Sequence, residues 1–366
     1  MYLCISILLF LLCIFKSNSK VVTVIALAWL WFLMSCSTGL ADDAVNYSRY
    51  YNYSSFIGST EVGYQLIMRL FSEMGVPFLT YKKIIALVEM VLLYFTTKGI
   101  GKCQNVALAL YMFFPFCMDV VQMRNTLGLF IALYGMQFFF KEEKKKSDKI
   151  IKISNNVKYA FFIGIASLFH FLNLFYLVFL FGKRYKTKNI LIVTSIICVF
   201  ITNLISPRVL LSIGGKVGLE TKISWAMMGN ASNPGLYRLS VIRVIVYFLM
   251  FICIWMLDKY GLKRKNAHSM IDNTLIMNCN ILIMAIIPLM QYSADFYRCQ
   301  TGFTLINYIF FASHLKGILK HKISISDAVI IISLIAFAII NLYLLVLMSN
   351  NIHTVFEPVF INRKMW

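Results

Sequence analysis

Blocks of apolar residues, each close to twenty long and cut from the next by a short polar segment, dictate how this chain folds. A helix needs roughly 20 residues to cross hydrocarbon. Backbone polar groups at that depth must be satisfied within the segment itself, which selects helices over open strands. With 60% hydrophobic residues, 14% charged residues and a mean hydropathy of +0.76, a soluble fold is excluded. The expected class is an all-α polytopic membrane protein with about ten to twelve transmembrane helices. It forms a single integral membrane domain over 1–366, because no polar stretch is longer than a loop.

The formal net charge of +20 would suggest a nucleic-acid partner in a soluble chain. Here the lysines gather in the short segments between apolar blocks, the pattern of cytoplasmic loops, and no nucleic-acid partner is expected. The nine cysteines lie mostly inside apolar runs without C-x-x-C spacing, so neither a disulfide framework nor a metal site is expected. The first apolar run lacks a basic leader and a small-residue cleavage site, and reads as a short first helix.

Basic segments at 16–20, 98–102, 141–158, 182–188, 259–268 and 316–322 are placed inside by this rule. The intervening connections fall outside, among them an external segment at 41–76 and a large loop at 206–238. The alternation fails only at 159–181, an apolar block with basic segments on both sides. One crossing there would invert everything after it, while two full crossings would need about 40 residues. A broken or re-entrant pair restores the parity. Its natural break is Phe169-His170-Phe171-Leu172-Asn173, which places His170 at the tip.

Few ionisable residues interrupt the outer ends of the blocks. Arg124 and Asp119 are the only charges between two long apolar stretches. An ionisable group beside hydrocarbon costs about 3 kcal/mol unless it finds a partner or water, so each is a functional candidate. The external segment is rich in acids and tyrosines: Asp42, Asp43, Tyr47, then Glu61 and Tyr64. Rings that stack on a sugar face, beside acids that bind its hydroxyls, make this a carbohydrate-binding candidate. From Glu61 to Met74 the apolar spacing suits a helix lying in the outer interface. The large loop carries Arg208 and Arg238, an external cationic concentration suited to an anionic substrate.

The succession Glu-Val-Gly-Tyr (Glu61 to Tyr64), Met-Arg-Asn-Thr-Leu-Gly (Met123 to Gly128), Ala-Ser-Leu-Phe-His (Ala166 to His170), Ala-Asp-Phe-Tyr-Arg (Ala294 to Arg298) and Phe-Glu-Pro-Val-Phe (Phe356 to Phe360) resembles the EpsG/Wzy-type polysaccharide polymerases. Asn125 stands where a glutamine commonly follows the arginine, and Phe171-Leu172 replaces small or polar residues. The resemblance implies a membrane glycosyltransferase at the outer face of a bacterial cell membrane. Its substrate would be an oligosaccharide repeat of O-antigen, capsule or exopolysaccharide carried on undecaprenyl diphosphate. The lipid diphosphate is the leaving group, so no nucleotide sugar and no cofactor is required. A flippase and a chain-length regulator are the implied partners, besides the bilayer itself.

On this reading Arg124 and Arg298 hold the diphosphate, with Arg238 and Arg208 assisting, because guanidinium stays charged and binds phosphate oxygens in a fork. His170 is the candidate general base. Asp42 or Asp43 is the rival base, while Glu61, with Tyr47, Tyr64 and Asp295, serves substrate binding. Two alternatives share much of this chemistry. A lipid-linked glycan ligase differs only in its acceptor, and a flippase of the same lipid would be a transporter, against which the missing internal repeat argues.

Overall fold

A computed structural model describes residues 1–36, 42–52, 61–101, 103–141, 154–204, 234–256, 271–291, 296–318, 325–343 and 352–361. Among these residues every regular element is helical. The first half comprises α1 (Tyr2–Phe15), α2 (Lys20–Cys36), α3 (Asp42–Asn52), α4 (Val62–Glu73), α5 (Phe78–Ile100), α6 (Gln104–Phe113), α7 (Phe116–Val121) and α8 (Met123–Phe140). The second comprises α9 (Asn155–Phe169), a 3₁₀ segment (Phe171–Val178), α10 (Phe179–Arg184), α11 (Thr187–Leu204) and α12 (Pro234–Met256), then α13 (Asn273–Met284), α14 (Tyr297–Ile318), α15 (Ile325–Leu342) and the short α16 (Glu357–Phe360). The run Asn273–Met290 alone among the described residues is long and apolar enough to cross a membrane unaided, while α1 and α2 are shorter apolar helices. The beginning of α12 at Pro234 falls inside the span 206–238 read as loop, and 205–233 lies outside the described residues.

The chain does break at His170. α9 ends at Phe169, and His170 is extended, with φ −153° and ψ 114°. The 3₁₀ segment then runs back along α9: the Tyr159 hydroxyl donates to the Tyr176 carbonyl at 2.5 Å. Lys183 Nζ donates to Asn156 Oδ1 at 3.1 Å, so the hairpin leaves and returns at one level. With 15 residues, α9 reaches about 22 Å.

A break inside an apolar hairpin exposes carbonyls that need donors. The sequence supplies one in Asn173, whose amide donates to the Ala166 carbonyl at 3.3 Å beside the bond from the His170 amide at 3.0 Å. A polar residue one turn after His170 thus replaces part of the lost ladder. The Asn173 amide hydrogen reaches the His170 carbonyl at 3.0 Å and closes the turn.

Apolar burial drives helices into lipid but not against each other, so association rests on close packing and interhelical hydrogen bonds. α8 lies antiparallel to α9, with Gly128 beside Ala166 and Phe169, and Gly135 beside Tyr159 and Phe162. A methyl at Gly128 would stand 2.6 Å from Asn173 Nδ2 and 2.9 Å from the Ala166 carbonyl oxygen. Gly128→Ala is therefore expected to destabilise the protein by about 1–3 kcal/mol, seen as a lower Tm in detergent. A Tm equal to the parent's would show that the tip is not packed against α8.

α14 runs parallel to α8 on the other side of the hairpin. Gly302 comes up against Leu129 and Tyr176, and the Tyr176 hydroxyl donates to the Cys299 carbonyl at 2.8 Å. The tip is thereby wedged between the starts of α8 and α14.

Candidate functional site

Three helices begin around the hairpin tip. Glu61 precedes α4, Gln122 precedes α8, and Tyr297 opens α14. Neither α4 nor α8 carries a side-chain cap at its start. Their first-turn N–H groups and the positive ends of their dipoles thus face the same region, an arrangement suited to anions.

α4 is held to the tip by Gly63, where a methyl would meet the Leu168 carbonyl oxygen at 2.9 Å. That approach brings Glu61 Oε2 to 2.8 Å from Arg124 Nη1. Both side chains keep some exposure, 19% for Arg124 and 11% for Glu61. The carboxylate offsets the cost of a guanidinium that is only 19% exposed. It engages one arm, and a guanidinium has five N–H donors.

On the other side of the tip, Arg298 Nη1 lies 3.4 Å from His170 Nε2. Guanidinium only donates, so the Nε2 lone pair is the acceptor in this pair. His170 is 6% exposed, and Arg298 is half-buried. The two halves are tied across α8 and α14: Gln122 Nε2 donates to the Tyr297 hydroxyl at 2.8 Å, and Asn125 Nδ2 donates to Gln122 Oε1 at 3.2 Å. Asn125, the departure from the familiar arginine–glutamine order, orients Gln122 and is itself buried.

The structure therefore brings Glu61, Arg124, His170 and Arg298 to the same ends of adjoining elements. Tyr47 and Tyr64 occupy a different setting. Their rings pack on each other with centroids 5.7 Å apart, Tyr64 also meets Tyr81, and both are buried. The Tyr64 hydroxyl donates to Met123 Sδ at 3.2 Å, next to Arg124. These rings brace α3 and α4 against α5 and α8. Asp42 and Asp43 open α3, and Arg238 lies in the first turns of α12, but their side chains are outside the described residues, as are Arg208 and Asp295 entirely.

One pair of charged residues and one lone arginine escape a sequence reading. Lys82 and Glu89 of α5 are buried beside Asp119 of α7, around a small hollow that Met123 also lines. Asp119 accepts from the Tyr111 hydroxyl at 2.8 Å. The other is Arg243, fully buried on α12, whose Nη1 donates to Asn341 Oδ1 of α15. Its signal was available, since Arg243 is a lone cation in an apolar run like Arg124.

A family model described as the EpsG family matches residues 20–356. No curated protein and no solved structure matches the chain.

Proposed function

The chain belongs to the EpsG family, the match spanning nearly its whole length, and from that premise we propose that it joins undecaprenyl-diphosphate-linked oligosaccharide repeats into surface polysaccharide. The work is done at the outer face of the bacterial cell membrane, which the chain crosses about ten to twelve times, with the α9 hairpin entering and returning. The observation that carries this reading is the meeting of two arginines and one histidine at helix starts beside a re-entrant tip.

The reaction forms a C–O bond between an acceptor hydroxyl and the anomeric carbon of the donor. The bond from that carbon to the diphosphate breaks, and the hydroxyl loses its proton. Charge builds on the departing diphosphate, and preorganised donors that meet it lower the barrier. Arg124 and Arg298 supply forked donors of fixed charge, and the starts of α4 and α8 add backbone N–H groups. His170 takes the hydroxyl proton. Glu61 holds Arg124 in place and binds acceptor hydroxyls, with Asp42, Asp43 and Asp295 completing the sugar contacts and Arg208 and Arg238 assisting on the diphosphate.

Purified protein incubated with one lipid-linked repeat, without nucleotide or added metal, is expected to yield a ladder of lengthening products and free undecaprenyl diphosphate. Transfer onto a different acceptor without a ladder would make it a ligase. Unchanged substrate with folded protein would remove the enzymatic reading, and movement of the lipid across a vesicle would replace it with a flippase.

A further inference from the structure

Arg243 has an unusual balance of donors. Its side chain is 0% exposed, yet among the described residues Nη1 alone is engaged, by Asn341, while Nε and Nη2 have no hydrogen-bond partner there. Burying a guanidinium costs several kcal/mol unless its charge and its donors are met, and one neutral amide meets neither in full. The groups within electrostatic reach are the phenols of Tyr247 and Tyr297. The Tyr247 hydroxyl donates to the Gln300 carbonyl at 2.5 Å, that of Tyr297 accepts from the Gln122 amide, and neither takes a hydrogen from Nε or Nη2.

The position of Arg243 gives those donors a use. Tyr297 opens α14 and Asn341 is the last residue but one of α15, so Arg243 stands where two neighbouring helices end. Tyr297 precedes Arg298 in the chain and is tied through Gln122 to the start of α8. Arg243 therefore lies in the same polar layer as Arg124 and Arg298, reached through Tyr297. An interhelical tether would need a single arm. A guanidinium that keeps a second edge uncommitted is shaped for an oxyanion, which binds that edge bidentately.

We propose that Arg243 is a third binding residue for the lipid-linked diphosphate, holding phosphoryl oxygens through Nε and Nη2 while Asn341 fixes the other arm. This rests on the leaving-group reading above, and the experiment separates the two. The shared chemistry, a phosphate oxyanion, could also be offered by a phospholipid headgroup or by free pyrophosphate.

Full-length protein in phosphatidylcholine nanodiscs is titrated with undecaprenyl diphosphate, with phosphatidylglycerol and with inorganic pyrophosphate. Arg243→Gln is expected to weaken undecaprenyl diphosphate binding about 30-fold, and Arg243→Lys about tenfold. Asn341→Asp brings a carboxylate onto the guanidinium from inside the protein. It is expected to raise Tm while weakening diphosphate binding at least about tenfold. A purely structural arginine would give the rise in Tm with affinity unchanged, and that result overturns the proposal. So does an Arg243→Gln protein that binds like the parent, or phosphatidylglycerol or pyrophosphate that binds the parent as tightly as the lipid diphosphate. If Arg243→Gln does not fold, Asn341→Asp decides alone. Folded parent protein that binds no undecaprenyl diphosphate sinks the leaving-group reading itself, and Arg243 with it.

Discussion

Arg124→Lys is expected to cut polymer formation by about 100-fold while leaving the protein folded. Lysine keeps the charge and the length needed to reach interfacial water, so a mere anchor at the membrane edge would tolerate the change. What is lost is the fork. Arg124 gives one arm to Glu61 at 2.8 Å and retains other donors for a second anion. An ammonium serves as a point charge and cannot hold a carboxylate and a phosphate in the same planar geometry. Removing one preorganised donor from a developing oxyanion commonly costs a factor of about 100 to 1,000. Initial rates on a lipid-linked repeat, with Tm as the folding control, check this. Glu61→Gln separates pairing from catalysis, because it disturbs the position of Arg124 but keeps its fork, and should retain roughly a tenth of the activity. Equal losses in the two variants would reduce Arg124 to a structural partner of Glu61, and a fully active Arg124→Lys protein would remove it from the site.

His170→Gln is the second large effect, an expected loss of about 100-fold to 10,000-fold. Glutamine can still accept from Arg298 and so preserves the local bond, but it cannot take a proton at working pH. The pH profile makes the test specific. A base must be unprotonated, so the parent rate should fall at acid pH. The residual rate of His170→Gln should lack that acidic limb. If the limb persists, the base is another group, and Asp42 and Asp43 become the first to replace.

Much of this arrangement could be read from residue order, for definite reasons. The hairpin was legible because charge parity forbids a single crossing at 159–181, and because His170 and Asn173 are the polar residues at its middle. Arg124 stood out because a charge in apolar sequence carries a cost that demands a reason, and Arg298 through the resemblance of the motif that it closes. The partner of Arg124 was hidden, since Glu61 reaches it only after Gly63 lets α4 rest on the Leu168 backbone. Arg243 carries the same signal as Arg124, a lone cation in an apolar run, but its helix starts within a span that reads as external loop. The tyrosines mark another limit. Sequence shows an aromatic-rich segment, but only packing shows that Tyr47 and Tyr64 pack on each other, tilted by 59°.

With His170 as the proposed base, its contact with Arg298 would also set a clock for the reaction. A lone pair that receives a guanidinium hydrogen is closed to any other proton, so the base is idle for as long as that contact lasts. A diphosphate competes for the same guanidinium with far greater charge, and drawing Arg298 toward it frees the imidazole. On the proposed reading, acceptor activation would then wait for the donor to arrive, and stray hydroxyls and water would meet a disarmed histidine rather than hydrolyse the lipid-linked sugar.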